Sequence, residues 1–208
     1  MSSIIRIADY IQPFPSSPLA AWGDVDPWVL TSQSATVVQK LIASLSGDDF
    51  IIEGDIARHR SATVEQGAVL KGPLVLGARC FVAAGSYLRG GNWLDEDCII
   101  GPGSELKSSF VFAKTKLAHF NFVGDSVVGS NVNIEAGSVV CNYRNERSDH
   151  EIRIRSNGTM HRTGVDKFGA LIGDGGRLGA NSVVAPGALL LPATIVKRTC
   201  LLDQEADL

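Results

Sequence analysis

Apolar residues recur every six positions along most of the chain. Counted from Val64, the positions are Val64, Leu70, Leu76, Val82, Leu88, Leu94, Ile100, Leu106 and Phe112, and all nine are apolar. The residue two before each is mostly small or polar, as at Ala62, Ala68, Cys80, Ser86, Asn92, Cys98 and Ser104. The phase then slips by four, giving Phe122, Val128, Ile134 and Val140, and later returns as Ile172, Leu178, Val184, Leu190 and Val196. A period of six fits neither a helix nor a simple alternating strand. It fits a parallel β-helix, in which each short strand supplies one inward aliphatic and each corner takes a small residue. Three sixes make one triangular coil, so residues 18 apart stack at the strand spacing of roughly 4.8 Å.

Two segments depart from this period. Asp26-Pro27 reads as a helix start, with a capping residue ahead of proline at the first helical position. Val38, Leu41, Ile42 and Leu45 share one helical face and Gly47 is a stop signal, which predicts one or two helices over 27–46 capping the first coil. Residues 144–166 are dense in charge, and Ile152-Arg153-Ile154-Arg155 ahead of Asn157-Gly158 predicts a hairpin protruding from the solenoid. The expected organisation is an irregular segment with a helical cap over 1–50 and a β-helix over 51–208, carrying the insertion 144–166.

Composition narrows the function classes. The 208 residues suffice for one sizeable domain. A net charge of −3 gives no electrostatic case for nucleic acid or an anionic membrane. No apolar run reaches the roughly 18 residues of a membrane span, and the start lacks the basic and apolar regions of a signal peptide, so a cytoplasmic protein is expected. The four cysteines, Cys80, Cys98, Cys141 and Cys200, have no Cys-x-x-Cys spacing and are expected to be reduced, small, buried residues. The four histidines share no spacing that would assemble a metal site.

Stacking arithmetic places candidate chemistry. Lys71, Arg89 and Lys107 are 18 apart and each follows an inward leucine, so they form an outward ladder of cations. Neighbouring charges about 5 Å apart repel by about 1 kcal/mol in water. The ladder either splays its long side chains or receives an anion such as phosphate. His119 lies in the slipped stretch, where a residue displaced from the regular wall is either a catalytic base beside a cleft or an ordinary exposed histidine. The insertion carries Arg144, Arg147, Arg153, Arg155 and Arg162, which make it either solvated decoration or a lid with arginines placed for a larger anionic acceptor.

The stretch Leu88-Arg89-Gly90-Gly91, Glu105-Leu106-Lys107, Ala118-His119-Phe120-Asn121-Phe122-Val123-Gly124-Asp125, Asn131-Val132-Asn133-Ile134-Glu135-Ala136-Gly137 and Cys141-Asn142-Tyr143 resembles the acetyltransferase half of the bifunctional N-acetylglucosamine-1-phosphate uridyltransferase/glucosamine-1-phosphate acetyltransferases. The likeness is close over 88–143 and resumes at Lys167-Phe168-Gly169-Ala170-Leu171-Ile172-Gly173-Asp174. The combination of His-x-x-x-x-Gly-Asp, Asn-x-Asn-Ile and Cys-Asn-Tyr is far more specific than hexapeptides alone. The resemblance implies an all-β, left-handed parallel β-helix, a homotrimer with shared sites, and acetyl-CoA as donor with no metal needed for the transfer. It implies His119 as general base and Glu105 as the carboxylate orienting it. It implies Arg89 and Lys107 as sugar-phosphate ligands, Asn133 and Lys167 as further sugar-site residues, and Asn142 and Tyr143 close to the amino group. The backbone at Ala136 is implied to hold the thioester carbonyl, and Ala180 stands where the family has a serine near CoA. Lys197 and Arg198, at the end of the solenoid, either meet CoA phosphates or form a solvated pair.

There are departures. Phe122 replaces a sugar-binding tyrosine, the connection between Tyr143 and Lys167 is longer, and no glycine-rich nucleotide loop is read, so no uridylyl transfer is expected. The reading is an acetyl-CoA-dependent transferase acting on the amino group of a sugar phosphate or nucleotide-linked amino sugar. The alternatives are an O-acyltransferase, or a hexapeptide scaffold or sugar-phosphate binding protein without turnover.

Overall fold

The computed structural model describes residues 5–205 and shows short strands stacked into three sheets of eight, seven and seven strands, parallel except for the antiparallel first strand of the eight, with a separate two-stranded hairpin. Each coil contributes one strand to each sheet, here called the first, second and third faces. Inward residues stack in columns. Leu76, Leu94, Val111, Val128, Ile172 and Leu190 line the first face. Val64, Val82, Ile100, Leu117, Ile134, Leu178 and Val196 line the second. Leu70, Leu88, Leu106, Val123, Val140, Val184 and Leu202 line the third. These columns form one continuous core whose members are almost all fully buried.

The small polar residues ahead of the aliphatics close the corners from inside. Ser86 Oγ donates to the Gly101 carbonyl at 3.1 Å, Thr115 Oγ1 to Gly129 at 2.6 Å and Ser138 Oγ to Gly179 at 2.8 Å. Each hydroxyl satisfies a carbonyl that the turning backbone takes out of the ladder.

The period of six holds through Leu106 and then breaks earlier than the pattern predicts. Val111, not Phe112, pairs with Leu94, and Val123, not Phe122, pairs with Leu106. Register partners are 18 apart from Val82 to Ile100 but 17 apart from Leu94 to Val111 and from Leu106 to Val123. The missing residue comes from the corner between the third and first faces, where Ser108 (φ 49°) and Asp125 (φ 46°) take the left-handed conformation. The shortened corner is held by Ser109 Oγ, which donates to the Lys107 carbonyl at 2.8 Å and accepts from Ser126 N–H at 3.1 Å. As a result both phenylalanines point outward. Phe112 packs between Trp93 and Phe14, with ring centroids 5.2 and 5.9 Å away, and Phe122 faces out from the third face.

Phe112 can be buried there because the outside of the first face is covered. Helices α1 (Pro27–Ser32) and α2 (Ser34–Ala43), with the turns before them, share a second hydrophobic cluster with Val75, Trp93, Phe110, Val127, Leu171 and Leu189. The helical cap therefore lies along the flank of the solenoid, while a hairpin of Phe50–Glu53 and Ile56–His59 closes its first coil. Val38 and Leu41 are buried as the helical face predicts, but α2 stops at Ala43, before Gly47, with Ser44 Oγ donating to the Leu41 carbonyl at 2.7 Å. Asp26 occupies the predicted capping position, yet its carboxylate accepts from Ile5 N–H at 2.8 Å rather than from the helix. Asp174 ties this covering segment to a later coil, accepting from Gln12 N–H at 2.8 Å and donating its own N–H to the Tyr10 carbonyl at 3.0 Å.

The predicted hairpin is present as Arg153–Ser156 paired with Thr159–Arg162 about Asn157-Gly158, both at positive φ. It does not stand free, because Ile152 and Ile154 are fully buried in the same outer cluster beside Phe168 and Leu189. All four cysteines are free; Cys80 and Cys98 are buried as expected, whereas Cys200, at the last corner, is exposed. No helix among the described residues is long and apolar enough to cross a membrane.

Gly91 sets how closely the helices approach. It sits at φ 94°, and a Cβ there would lie 2.5 Å from Ala35 N at the start of α2. Gly91→Ala is expected to destabilise the fold by about 2 kcal/mol, through overpacking and left-handed strain, read as a lower urea midpoint. An unchanged midpoint would show that α2 yields without cost.

Candidate functional site

The expected ladder exists. Arg89 and Lys107 are register partners, and Lys71 N–H bonds the Leu88 carbonyl one coil earlier. Its charges, however, are answered internally. Arg89 Nε lies 2.7 Å from Glu105 Oε1, and Lys107 Nζ lies 2.6 Å from Asp125 Oδ2. Lys71 and Arg89 also lie 5.2 and 5.8 Å from the Tyr87 ring centroid, a cation–π arrangement. Neither splaying nor an external anion is needed to relieve the repulsion. Asp125 had no assigned role in the stacking pattern: the 17-residue coil pairs Lys107 with Gly124, and Asp125 meets Lys107 from the left-handed corner that follows.

Asp125 also accepts from Asn142 Nδ2, which brings the Cys-Asn-Tyr stretch to this corner. Gly124 makes the arrangement possible, since a Cβ there would lie 2.7 Å from Asn142 Nδ2 and 2.8 Å from Phe122 Cζ. The chain leaves the coil after Tyr143 and returns at Phe168, whose N–H bonds the Asn142 carbonyl at 3.1 Å. The result is a cleft of about 510 Å³ lined by Arg89, Lys107, Phe122, Asn142, Tyr143, Asp166 and Lys167. A second hollow of about 410 Å³ shares Asp166 and Lys167 and reaches Ser32 of α1. Five residues assigned to acceptor binding thus meet at one corner; the sixth, Asn133, does not.

Asn133 is exposed on the second face, paired with Lys116 and Arg177. It lines a different groove, of about 500 Å³, with Glu135, Arg177, Lys197 and Arg198 among its walls. Glu135 organises this groove. It accepts from Ala180 N–H at 2.8 Å and from Arg198 through Nε and Nη2, both at 2.8 Å. The Arg198 guanidinium holds the Glu135 carboxyl below the usual carboxylate range. Arg198 therefore carries a carboxylate partner, while Lys197 has none among the described residues.

His119 and Ala136 lie at the corner between the second and third faces. They stack in consecutive coils, with Gly137 N–H bonding the His119 carbonyl at 2.9 Å. His119 is exposed, and its ring has no hydrogen-bond partner among the described residues. Glu105 does not bond it, because Glu105 holds Arg89 instead. The Ala136 amide N–H also makes no hydrogen bond among the described residues. Phe120, next to His119, is 71 % exposed at φ 53°, a position where the coils on either side have Gly103 and Gly137. A bulky residue in the left-handed region is uncommon. Within one chain this cleft and the His119 corner occupy opposite edges of the third face, separated by the strand Phe122–Gly124.

The arginines of the insertion are not set out for phosphate. Arg144 is 4 % exposed and bonds both oxygens of Asp203 at 2.8 Å and the Pro186 carbonyl at 2.9 Å. Arg147 pairs with Glu205, Arg153 with Asp149 at 2.8 Å, and Arg162 with Glu151. The guanidinium of Arg155 has two buried nitrogens without a partner among the described residues. The insertion is thus latched to the C-terminal segment, and of its own residues only Asp166 lines the cleft. Asp203 and Glu205 stand 59 and 58 residues from Arg144 and Arg147, so these two pairs carry no spacing signal.

No family model matches the chain. It is 34 % identical over 193 residues to the bifunctional protein GlmU of Methanococcus maripaludis strain C7, covering 89 % of this chain and 46 % of that protein. The bifunctional protein GlmU of Methanocaldococcus jannaschii is 26 % identical over 190 residues, again 89 % of this chain and 46 % of the relative. A bifunctional sugar-1-phosphate nucleotidylyltransferase/acetyltransferase of Sulfurisphaera tokodaii is 33 % identical over 100 residues, 45 % of this chain and 24 % of that protein. The chain thus spans about half the length of the curated relatives that it matches along most of its own.

Arg144 lowers the Asp203 carboxyl below its ordinary value of 3.8. A depressed folded value contributes stability that is present above pH 3.8 and is lost as pH falls through the folded value. Limited proteolysis within 144–166 is therefore expected to accelerate below about pH 4 in native Asp203 protein. In Asp203→Asn it should be fast already at neutral pH. Equal rates for the two proteins at pH 7 would show that the latch does not hold the insertion.

Proposed function

We propose that this chain, a hexapeptide-repeat β-solenoid related to the GlmU proteins over 89 % of its length, is an acetyl-CoA-dependent N-acetyltransferase acting on an amino-sugar phosphate. The observation that carries the reading is the cleft at the shortened corner, where Arg89, Lys107 and Lys167 converge with Asn142 and Tyr143. Three cations facing three carboxylates, Glu105, Asp125 and Asp166, suit an acceptor that carries both a phosphate and an amine. With most insertion arginines held by acids, a sugar monophosphate fits this cleft better than a nucleotide-linked sugar.

Acetyl-CoA supplies the acyl group and a thiolate leaving group. His119, exposed and unpartnered, takes the proton from the attacking amine. The free Ala136 amide N–H, one coil away, donates to the thioester oxygen as negative charge develops there. Lys197 and Arg177 line the groove and supply cations for the phosphates of CoA, and Ala180 donates its N–H to Glu135. Glu105 reaches the His119 side only by exchanging its Arg89 partner, which an arriving acceptor phosphate would release.

The two corners become one site when two chains pack side by side. The second and third faces carry outward apolar residues, including Val69, Val183, Ile195 and Leu201 at 46, 37, 59 and 65 % exposure. A homotrimer covers them and joins the His119 corner of one chain to the acceptor cleft of its neighbour. The cytoplasm, where acetyl-CoA and sugar phosphates meet, is the proposed location.

Thiol release from acetyl-CoA is expected with amino-sugar phosphates and to be weak with their unphosphorylated or hydroxyl analogues. His119→Ala should lower kcat by about 10²–10⁴ with little change in Tm. Transfer to the hydroxyl analogue at equal rate would favour O-acylation, and no release with any acceptor would favour a binding scaffold. Light scattering should give a mass of three chains at micromolar concentration; a monomer would remove the shared site.

A further inference from the structure

The insertion folds back on the cleft through one side chain that the proposed chemistry does not use. Tyr143 stands on the cleft wall, 36 % exposed. The ring of His150 lies against it, with centroids 4.6 Å apart and planes inclined by 32°. His150 Nδ1 is 2.8 Å from the Arg144 carbonyl oxygen, which can only accept, so Nδ1 carries the proton. That carbonyl belongs to the most firmly held residue of the insertion, because the Arg144 side chain is buried on Asp203 and the Pro186 carbonyl. The imidazole is thus fixed along one edge by a rigid backbone atom and presents a face to Tyr143. No other aromatic ring stacks on Tyr143 among the described residues, and His150 does not itself line the cleft.

We infer that His150 is a positioning residue, which holds the Tyr143 ring in the cleft ahead of acceptor binding. The inference rests on the reading of this cleft as the acceptor site. A tyrosine ring has two free torsions, and fixing them beforehand removes an ordering cost from binding. Offset aromatic contacts and a neutral hydrogen bond are each weak, so the effect is modest and falls on acceptor affinity. The groove of Lys197 and Arg198 lies on other faces, so the donor side should not sense the change.

The test is a double-mutant cycle in the thiol-release assay with an amino-sugar phosphate. His150→Ala should raise the acceptor KM about 3- to 10-fold while kcat and the acetyl-CoA KM stay within about twofold. His150→Phe, which keeps the ring, should recover most of the loss, and His150→Asn, which keeps only the donor, should recover less. In a Tyr143→Ala background, His150→Ala should have no further effect. An active wild type in which His150→Ala leaves KM unchanged, lowers kcat and both KM values alike, or adds fully to Tyr143→Ala overturns the inference alone. A wild type inactive with every acceptor overturns the underlying reading and the inference with it.

Discussion

Three corners must be turned for each coil to stack on the last, in 17 or 18 residues wherever no insertion intervenes, and the rest of the molecule depends on how those corners are made. Between the second and third faces the coils use glycine at Gly67, Gly85, Gly103 and Gly137, but Phe120 and Asn181 take the same left-handed turn. Between the third and first faces the longer corner of Gly90-Gly91 gives way to the shorter ones at Ser108 and Asp125. Where the corner shortens, the parallel ladder continues unbroken, and the Ser109 and Ser126 hydroxyls donate to the Lys107 and Gly124 carbonyls of the turning backbone.

The shortened corner is also where charge gathers. Stacking at about 4.8 Å forces any residue that repeats at one coil position into contact with its neighbours. Lysine and arginine there would repel, and the fold answers with Glu105 and Asp125 in the adjoining rungs. The Lys107–Asp125 pair is largely buried, with side chains 15 and 8 % exposed, so removing one partner would leave the other charge stranded at a cost of several kcal/mol. The same packing carries Asn142 to Asp125 and so fixes where Tyr143 emerges. The cleft therefore has balanced charges and a rigid floor rather than a bare electrostatic field.

Coverage is unequal around the triangle. The N-terminal turns, the two helices and the hairpin of the insertion all pack on the first face, with Phe14, Trp28, Ile152, Ile154 and Phe168 in one cluster. The second and third faces keep outward apolar side chains and both halves of the proposed site. This division explains how a long insertion is accommodated beside the cleft. Its apolar strand joins the covering layer, four of its arginines bind Asp149, Glu151, Asp203 and Glu205, and of its residues only Asp166 lines the cleft, between the flanking Tyr143 and Lys167.

The sixfold spacing alone determined the solenoid, because one inward aliphatic per short strand is a local requirement that every coil repeats. The Asn157-Gly158 hairpin and the start at Asp26-Pro27 were legible for the same reason, since turn and cap chemistry act within a few residues. The stacking of Lys71, Arg89 and Lys107 followed from arithmetic. Three features needed the tertiary structure. Phe112 and Phe122 point outward because the coils shorten to 17 at Ser108 and Asp125, and a left-handed corner without glycine leaves no mark in the sequence. The helices lie along the flank because the outer cluster is assembled from residues more than a hundred positions apart. Arg144 and Arg147 are held by Asp203 and Glu205, and Glu135 by Arg198, because these ion pairs are chosen by proximity in space, which no spacing along the chain encodes.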